Sequence, residues 1–172
     1  GVGRLFEQKN FTLLIDSFNE IKDEFPEHIL EIYGEGPLRE SLQAHINNLG
    51  LNDRVFLKGV KNNVMKYISD AELFVMSSNF EGFPNALIEA MASGMPVIST
   101  DFPTGVARDL IKKENGIVVP IGNRKLMSQA MKQILSNKDY QESASKENRQ
   151  IKDLLSPKKI MNKWKQAFEE II

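Results

Sequence analysis

Two acids with seven residues between them, Glu81 and Glu89, flank a helix start in Glu81-Gly-Phe-Pro-Asn-Ala-Leu-Ile-Glu89. The chemistry such a segment offers is a grip on an anion that also carries hydroxyls. An apolar run precedes it, and Pro84 falls at the first helical position, where a missing N–H costs nothing. The N–H groups of Asn85, Ala86 and Leu87 then lack acceptors within the helix, and the helix dipole favours negative charge in front of them. Gly82 lets the backbone turn tightly or approach a ligand closely, and Phe83 sits between glycine and proline. Carboxylates beside an anion site fit only if they bind hydroxyls, and the vicinal diols of a ribose or a hexose are such partners. Singly, each acid has a plainer reading, Glu81 as a helix cap and Glu89 as a surface residue. Together with the residues around them they point to a ligand.

Cations come from elsewhere in the chain. Gly3-Arg4-Leu5 leaves a first strand, and Lys9 stands just before the first helix. Arginine offers a planar fork suited to phosphate oxygens and lysine a point charge. Gly34-Glu-Gly-Pro37 and Gly59-Val60 end two further strands on the same side, each a weak signal alone because glycines often simply end strands. His28 and His45 are far apart in the sequence and are read as structural. No metal site is expected.

The elements that must hold these loops alternate along the chain. Helical spacing links Phe11, Leu14, Ile15, Phe18, Ile21 and Phe25, with Asn10 placed to cap. Strands are expected at 28–33, 54–58, 72–77, 96–100 and 116–119. Helices fall between them: one opened by Pro37 and closed by Gly50, others at 63–69, 84–93 and 106–111. From residue 123 onward the pattern is helical throughout, with an apolar stripe of Leu126, Met127, Ala130, Met131, Ile134 and Leu135. Alternating strands and helices with near-continuous apolar strands predict an α/β, Rossmann-like parallel sheet with helices on both faces. Ligands then sit beyond the carboxyl ends of the strands, where the loops above lie. Gly1-Val2-Gly3 is read as the stub of that first strand, so the natural protein is expected to continue upstream.

Bulk numbers narrow the class. The 172 residues suit one domain, 41% are hydrophobic, 26% are charged, and the net charge is −1. No global basic field would recruit nucleic acid or an anionic membrane, so anion binding must be local. With no cysteine, disulfides and thiolate zinc sites are excluded. The apolar runs fall short of a membrane span, and a cytoplasmic setting is expected, with peripheral contact at the inner face of a membrane left to the full-length protein.

In order along one chain, Gly3-Arg4-Leu5 with Lys9, Tyr33-Gly-Glu-Gly-Pro-Leu-Arg39, Val55-Phe-Leu-Lys-Gly59, Glu81-Gly-Phe-Pro, Glu89-Ala-Met-Ala-Ser-Gly-Met-Pro-Val97 and Asn115-Gly-Ile-Val-Val-Pro120 resemble the group 1 glycosyltransferases, family 4 of the retaining GT-B enzymes. The resemblance covers essentially the whole chain and matches the donor-binding half of that two-domain fold. It implies a nucleotide-diphosphate sugar, most often a UDP-sugar, as donor substrate, and a saccharide or glycolipid acceptor, with no cofactor. By it, Arg4 and Lys9 hold the diphosphate, Glu89 the ribose and Glu81 the hexose. The backbone from Gly82 through Phe83, Pro84, Asn85 and Ala86 to Leu87 meets phosphate and sugar, while Gly34, Gly59 and Val60 lie nearby, the last two beside the base. Arg4, Lys9 and Glu81 would carry the catalytic roles. The acceptor domain of the family has no counterpart in the chain, so the chain alone is expected to bind donor weakly and transfer nothing.

Two other readings compete. A glycoside hydrolase would use Glu81 and Glu89 as its carboxylate pair, but one of them lies inside a helix beside an anion site. A sugar-nucleotide-binding or regulatory module would share the fold without transfer, and fold alone does not separate the two. Near the end of the chain, Ile160, Met161, Trp164, Phe168 and Ile171 form one helical stripe, read first as core or interdomain packing. Lys158, Lys159, Lys163 and Lys165 make a membrane-surface element the second reading of that helix.

Overall fold

The computed structural model describes residues 1–169, the side chains of Lys163 and Ala167 excepted. Five strands alternate with helices: α1 Phe11–Asn19, β1 Leu30–Tyr33, α2 Arg39–Asn48, β2 Val55–Gly59, α3 Met65–Ile68, β3 Phe74–Met76, α4 Asn85–Ser93, β4 Val97–Thr100, α5 Val106–Leu110 and β5 Gly116–Val119. Four helices follow: α6 Arg124–Leu135, α7 Lys138–Arg149, α8 Ile151–Leu154 and α9 Pro157–Glu169. The helical end is thus broken rather than continuous; Asn123 and Asn137 cap new starts by accepting from the N–H groups of Leu126 and Tyr140.

All strand pairings are parallel, β1 with β2 and β3–β4–β5 in that order. Between the two groups runs Gly1–Val2–Gly3, bonded among the described residues only to β1: Gly1 N–H to Glu31 O, Tyr33 N–H to Gly1 O and Gly3 N–H to Tyr33 O. The segment read as the end of a first strand does lie as a strand would. Below it a cavity of about 390 Å³ opens between Leu30 and Phe74, at the amino ends of the strands and away from the candidate loops.

Side chains leave the sheet alternately to two faces. Ile32, Val75 and Ile98 join Leu14, Ile15, Ile46, Met127 and Ile134 under α1, α2 and α6. Tyr33, Phe74, Met76 and Val97 join Leu87, Met91, Phe102 and Ile151 under α4, α5 and α8. Two apolar layers around one parallel arrangement are the expected α/β architecture.

Several boundaries differ from the sequence reading. Pro37 does not open α2; it lies in the turn ahead of a helix that starts at Arg39. Pro84 is not the first residue of α4 but its N-cap, with φ −85° and ψ 69°, outside the helical region. Gly50 and Gly94 do close their helices with positive φ, +64° and +92°. Polar as its sequence is, α7 buries Ala144 and Asn148. Asn148 donates from Nδ2 to Met95 O (2.7 Å) and Asn115 O (2.9 Å), tying α7 to the loops that lead into β4 and β5.

Candidate functional site

The loops leaving the carboxyl ends of the strands converge on one edge. Leu5 is fully buried, donates its N–H to Glu35 O and accepts from Leu38 N–H. With Gly3 N–H on Tyr33 O, this fixes the backbone on both sides of Arg4. The Arg4 side chain itself is exposed, its guanidinium 5.2 Å from the centre of the Phe6 ring. Among the described residues Arg4 makes no ion pair.

Lys9 ends a single 3₁₀ turn, Glu7–Lys9, and Asn10 follows in the left-handed region at φ 44°. Asn10 Oδ1 accepts from Leu13 N–H, the predicted cap of α1. That turn is sewn to the loop between β3 and α4. Gln8 donates from Nε2 to Phe80 O (2.8 Å), and Asn79 N–H donates to Gln8 O (2.8 Å). Asn79 Nδ2 reaches Glu7 O, Asn10 Nδ2 reaches Asn79 Oδ1, and Ser77 Oγ donates to Lys9 O.

The consequence is that Lys9 Nζ lies 2.5 Å from Glu81 Oε1. Glu81 is 6% exposed. An isolated carboxylate at that depth would be costly, and the pairing, with Ser78 Oγ–H also donating to Oε1 at 2.6 Å, compensates it. Thr104, in the loop after β4, donates from Oγ1 to the Glu81 carbonyl (3.1 Å). Three loops therefore set one acid.

In front of α4 the donors are fewer than the sequence suggests. Because Pro84 is the cap, Leu87 N–H already donates to Pro84 O (3.0 Å) and Asn85 N–H to Phe83 O (3.0 Å). Among the described residues only the Ala86 N–H of that trio has no acceptor. Phe83 is 57% exposed and Gly82 is exposed beside it. Leu87, Ala90 and Met91 form the buried face of α4, while Asn85 and Glu89, four residues apart, share an exposed one. Glu89 makes no hydrogen bond or ion pair among the described residues, so Glu81 and Glu89 are a paired and a solvent-facing acid rather than a matched couple.

Gly34 and Gly59 sit where β1 and β2 end, Gly34 N–H on Gly59 O. Their smallness is accounted for within the protein: a Cβ on Gly34 would fall 1.8 Å from Gly3 O, and Gly59 has φ +70°. Val60 follows at 67% exposure. Ser77, Ser78, Asn79, Gln8 and Thr104 are the residues that sequence reasoning passed over. The run Ser77-Ser78-Asn79 straight after a buried apolar strand carried a signal for the first three; Thr104 and Gln8 carried none.

His28 lies 3.3 Å from Glu72, and His45 lies 2.6 Å from Asp16 on the flank of α1, both distant from these loops in the fold. In α9, Met161, Trp164 and Phe168 are exposed, with the Trp164 and Phe168 rings stacked at 5.8 Å; Ile171 and the Lys163 side chain lie outside the described residues. Among the described residues no helix is long and apolar enough to cross a membrane.

Comparison with known proteins gives a consistent set. The model of the family described as Glycosyl transferases group 1 matches residues 1–151. The chain is 40% identical over 137 residues to the N-acetylgalactosamine-N,N'-diacetylbacillosaminyl-diphospho-undecaprenol 4-alpha-N-acetylgalactosaminyltransferase of Campylobacter jejuni, covering 79% of this chain and 36% of that protein. Among solved structures it matches the pneumococcal O-GlcNAc transferase GtfA in complex with UDP and GlcNAc, with a TM-score of 0.85, 28% identity and coverage of 99% of this chain and 35% of that one. It also matches a mutant of S. aureus TarM in complex with fondaparinux, alpha-GlcNAc-glycerol and UDP, with a TM-score of 0.89, 27% identity and coverage of 97% and 34%. The chain thus spans about a third of the length of each of these proteins.

Proposed function

The chain belongs to the glycosyl transferases of group 1 and has the α/β fold of one half of a GT-B enzyme, and from that membership we propose that it is the half that binds a nucleotide-diphosphate sugar, most simply a UDP-sugar, for a two-domain transferase. The observation that carries the proposal is the seating of Lys9 against the buried Glu81, beside the exposed Gly82–Phe83 turn and the Ala86 N–H. UDP in the GtfA and TarM structures supports the choice of nucleotide.

In this reading the departing diphosphate lies between Arg4, Lys9 and the start of α4. Lys9 spends one of its three donors on Glu81 and keeps two for phosphate oxygens. Arg4, without an ion pair among the described residues, adds a fork. Negative charge grows on the diphosphate as the bond to the anomeric carbon breaks. Fixed cations and the Ala86 N–H therefore stabilise the transition state more than the bound donor. Glu81 meets the hexose, Glu89 the ribose hydroxyls, and Gly59 and Val60 lie beside the base. The acceptor, a saccharide or glycolipid, and the second domain that binds it come from the rest of a longer polypeptide, and transfer proceeds with retention at the anomeric carbon. Arg4 and Lys9 supply the positive charge without a bound metal.

The test is protein-observed NMR of this chain titrated with UDP, GDP and UDP-hexoses, in buffer containing EDTA, for the wild type, Arg4→Ala and Glu89→Gln. Saturable shifts at Arg4, Lys9 and residues 81–89, weakened in both variants, are expected. A folded wild type that binds no nucleotide overturns the assignment, and a requirement for added Mg²⁺ overturns the metal-free part of it. In a protein carrying both domains, Arg4→Ala lowers kcat by about 10²–10³, the effect of removing one donor from a site where charge develops.

A further inference from the structure

We propose that Ser78 is a positioning residue for donor-sugar selection, fixing together with Lys9 which oxygen of Glu81 faces the hexose. The proposal rests on the donor-binding reading above and adds a residue and a geometric rule to it.

A glutamate carboxylate rotates almost freely about its last torsion, so either oxygen could turn to a ligand. Here both donors choose the same one: Lys9 Nζ at 2.5 Å and Ser78 Oγ at 2.6 Å meet Oε1. The serine proton must point to the carboxylate, since an ionised carboxylate has none to give. Oε2 takes no donor among the described residues and is not one of the sealed, unpartnered atoms, so it still reaches solvent. A single accepting oxygen, in a fixed plane, is what remains for a sugar hydroxyl.

Ser78 is itself immobilised. It is 1% exposed, and its carbonyl accepts from Thr100 Oγ1 (2.5 Å) at the end of β4. Thr104 holds the Glu81 carbonyl from the following loop. The backbone on both sides of the carboxylate is therefore pinned to β4 and the loop after it, and Ser78 converts that rigidity into an orientation of Glu81. A fixed acceptor separates epimers that differ in the direction of one hydroxyl, because the wrong epimer leaves a buried polar group without its partner. Nucleotide contacts, which involve Arg4, Glu89, the start of α4 and the two Lys9 donors not given to Glu81, are made by groups to which Ser78 has no hydrogen bond among the described residues.

The experiment compares the affinities of wild type, Ser78→Ala and Ser78→Thr for UDP, UDP-glucose, UDP-galactose and UDP-N-acetylglucosamine by isothermal titration of the full chain. In the wild type the three sugars differ. In Ser78→Ala, UDP affinity is unchanged while the ratio of best to worst sugar narrows by about tenfold, the effect of one hydrogen bond to a charged group. Ser78→Thr, which keeps the hydroxyl, restores the ratio. Unchanged UDP affinity also shows that the alanine variant is folded. Normal UDP binding with an undiminished sugar ratio in Ser78→Ala, or with no sugar discrimination in the wild type, overturns the role of Ser78 and leaves the donor-binding reading standing. A wild type that binds no UDP overturns both.

Discussion

Gly82 differs from every other glycine in the chain, and the difference is informative at the scale of one residue. Ten of the eleven glycines have a positive φ between +20° and +160° or a neighbour that a Cβ would touch. Gly82 has neither: its φ lies outside that range, and nothing lies within 4 Å of where a Cβ would sit. The protein has no internal need for glycine there, whereas a ligand lying on the backbone would. Gly82→Ala is therefore expected to leave stability within about 0.5 kcal/mol, as surface changes do, while weakening UDP-sugar binding by about tenfold or more, since a methyl group against a close-packed ligand costs 1–3 kcal/mol. Urea unfolding and titration of the same sample separate the two effects; equal affinity in the variant would remove Gly82 from the site. Lys9 and Glu81 carry the opposite lesson. Each was legible as a candidate from its place in the sequence, but nothing local says that they meet across 72 residues.

At the scale of elements, the ends of the strands decide what the loops present. β1 carries a small polar cluster on its way to the site: Tyr33 Oη–H donates to Glu31 (2.7 Å), and Lys58 on β2 lies 3.0 Å from the same carboxylate. Burial alone would raise the Glu31 pKa, but the Tyr33 hydroxyl and the Lys58 ammonium outweigh it and hold the carboxyl below its ordinary value. The same environment pushes the Tyr33 phenol up to about 12, through burial first and the Glu31 carboxylate second. A depressed carboxylate stabilises the fold above the unfolded-state pKa, and that contribution is lost as pH falls through the lower folded-state value. Glu31→Gln is expected to cost about 1–2 kcal/mol at pH 7, and the gap between variant and wild type should close in acid. Urea midpoints measured at pH 7 and near pH 3 check this; a gap that persists in acid would mean that packing, not charge, gives Glu31 its effect. α4 shows the limit of reading an element from its residue types. Pro84 stands one residue earlier than the first helical position that proline favours, and that shift left the Ala86 N–H where three open donors were expected.

Over the whole molecule, the helical end secures the half of the sheet that carries Glu81. Asn148, buried in a helix whose other residues are mostly polar, spans the start of β4 at Met95 and the start of β5 at Asn115. Asn148→Leu removes both bonds and leaves two buried carbonyls without donors, a loss of about 2–4 kcal/mol. The expected result is a markedly lower thermal midpoint with the fold retained; an unchanged midpoint would show that α7 merely lies against the sheet. The apolar side of α9, with Met161, Trp164 and Phe168, remains exposed in this chain.

The sequence by itself determined the alternation of strands and helices, the two-sided burial of the strands, the cap at Asn10 and the helix stops at Gly50 and Gly94. All of these follow from periodicity and backbone chemistry acting within a few residues. It also marked the candidate residues, because Arg4, Lys9 and Glu81 fall where strands give way to helices and Glu89 lies in the helix that follows. Tertiary structure alone decided which of them touch. Lys9 and Glu81 form a pair because hydrogen bonds from Gln8, Asn10, Ser77 and Asn79 sew two distant loops together. Glu89 stands apart because Leu87, Ala90 and Met91 turn its face of α4 outward. Side-chain hydrogen bonds between loops leave no period in a sequence, so Ser78, Asn79 and Thr104 acquire their roles only when the sheet brings its strand ends to one edge.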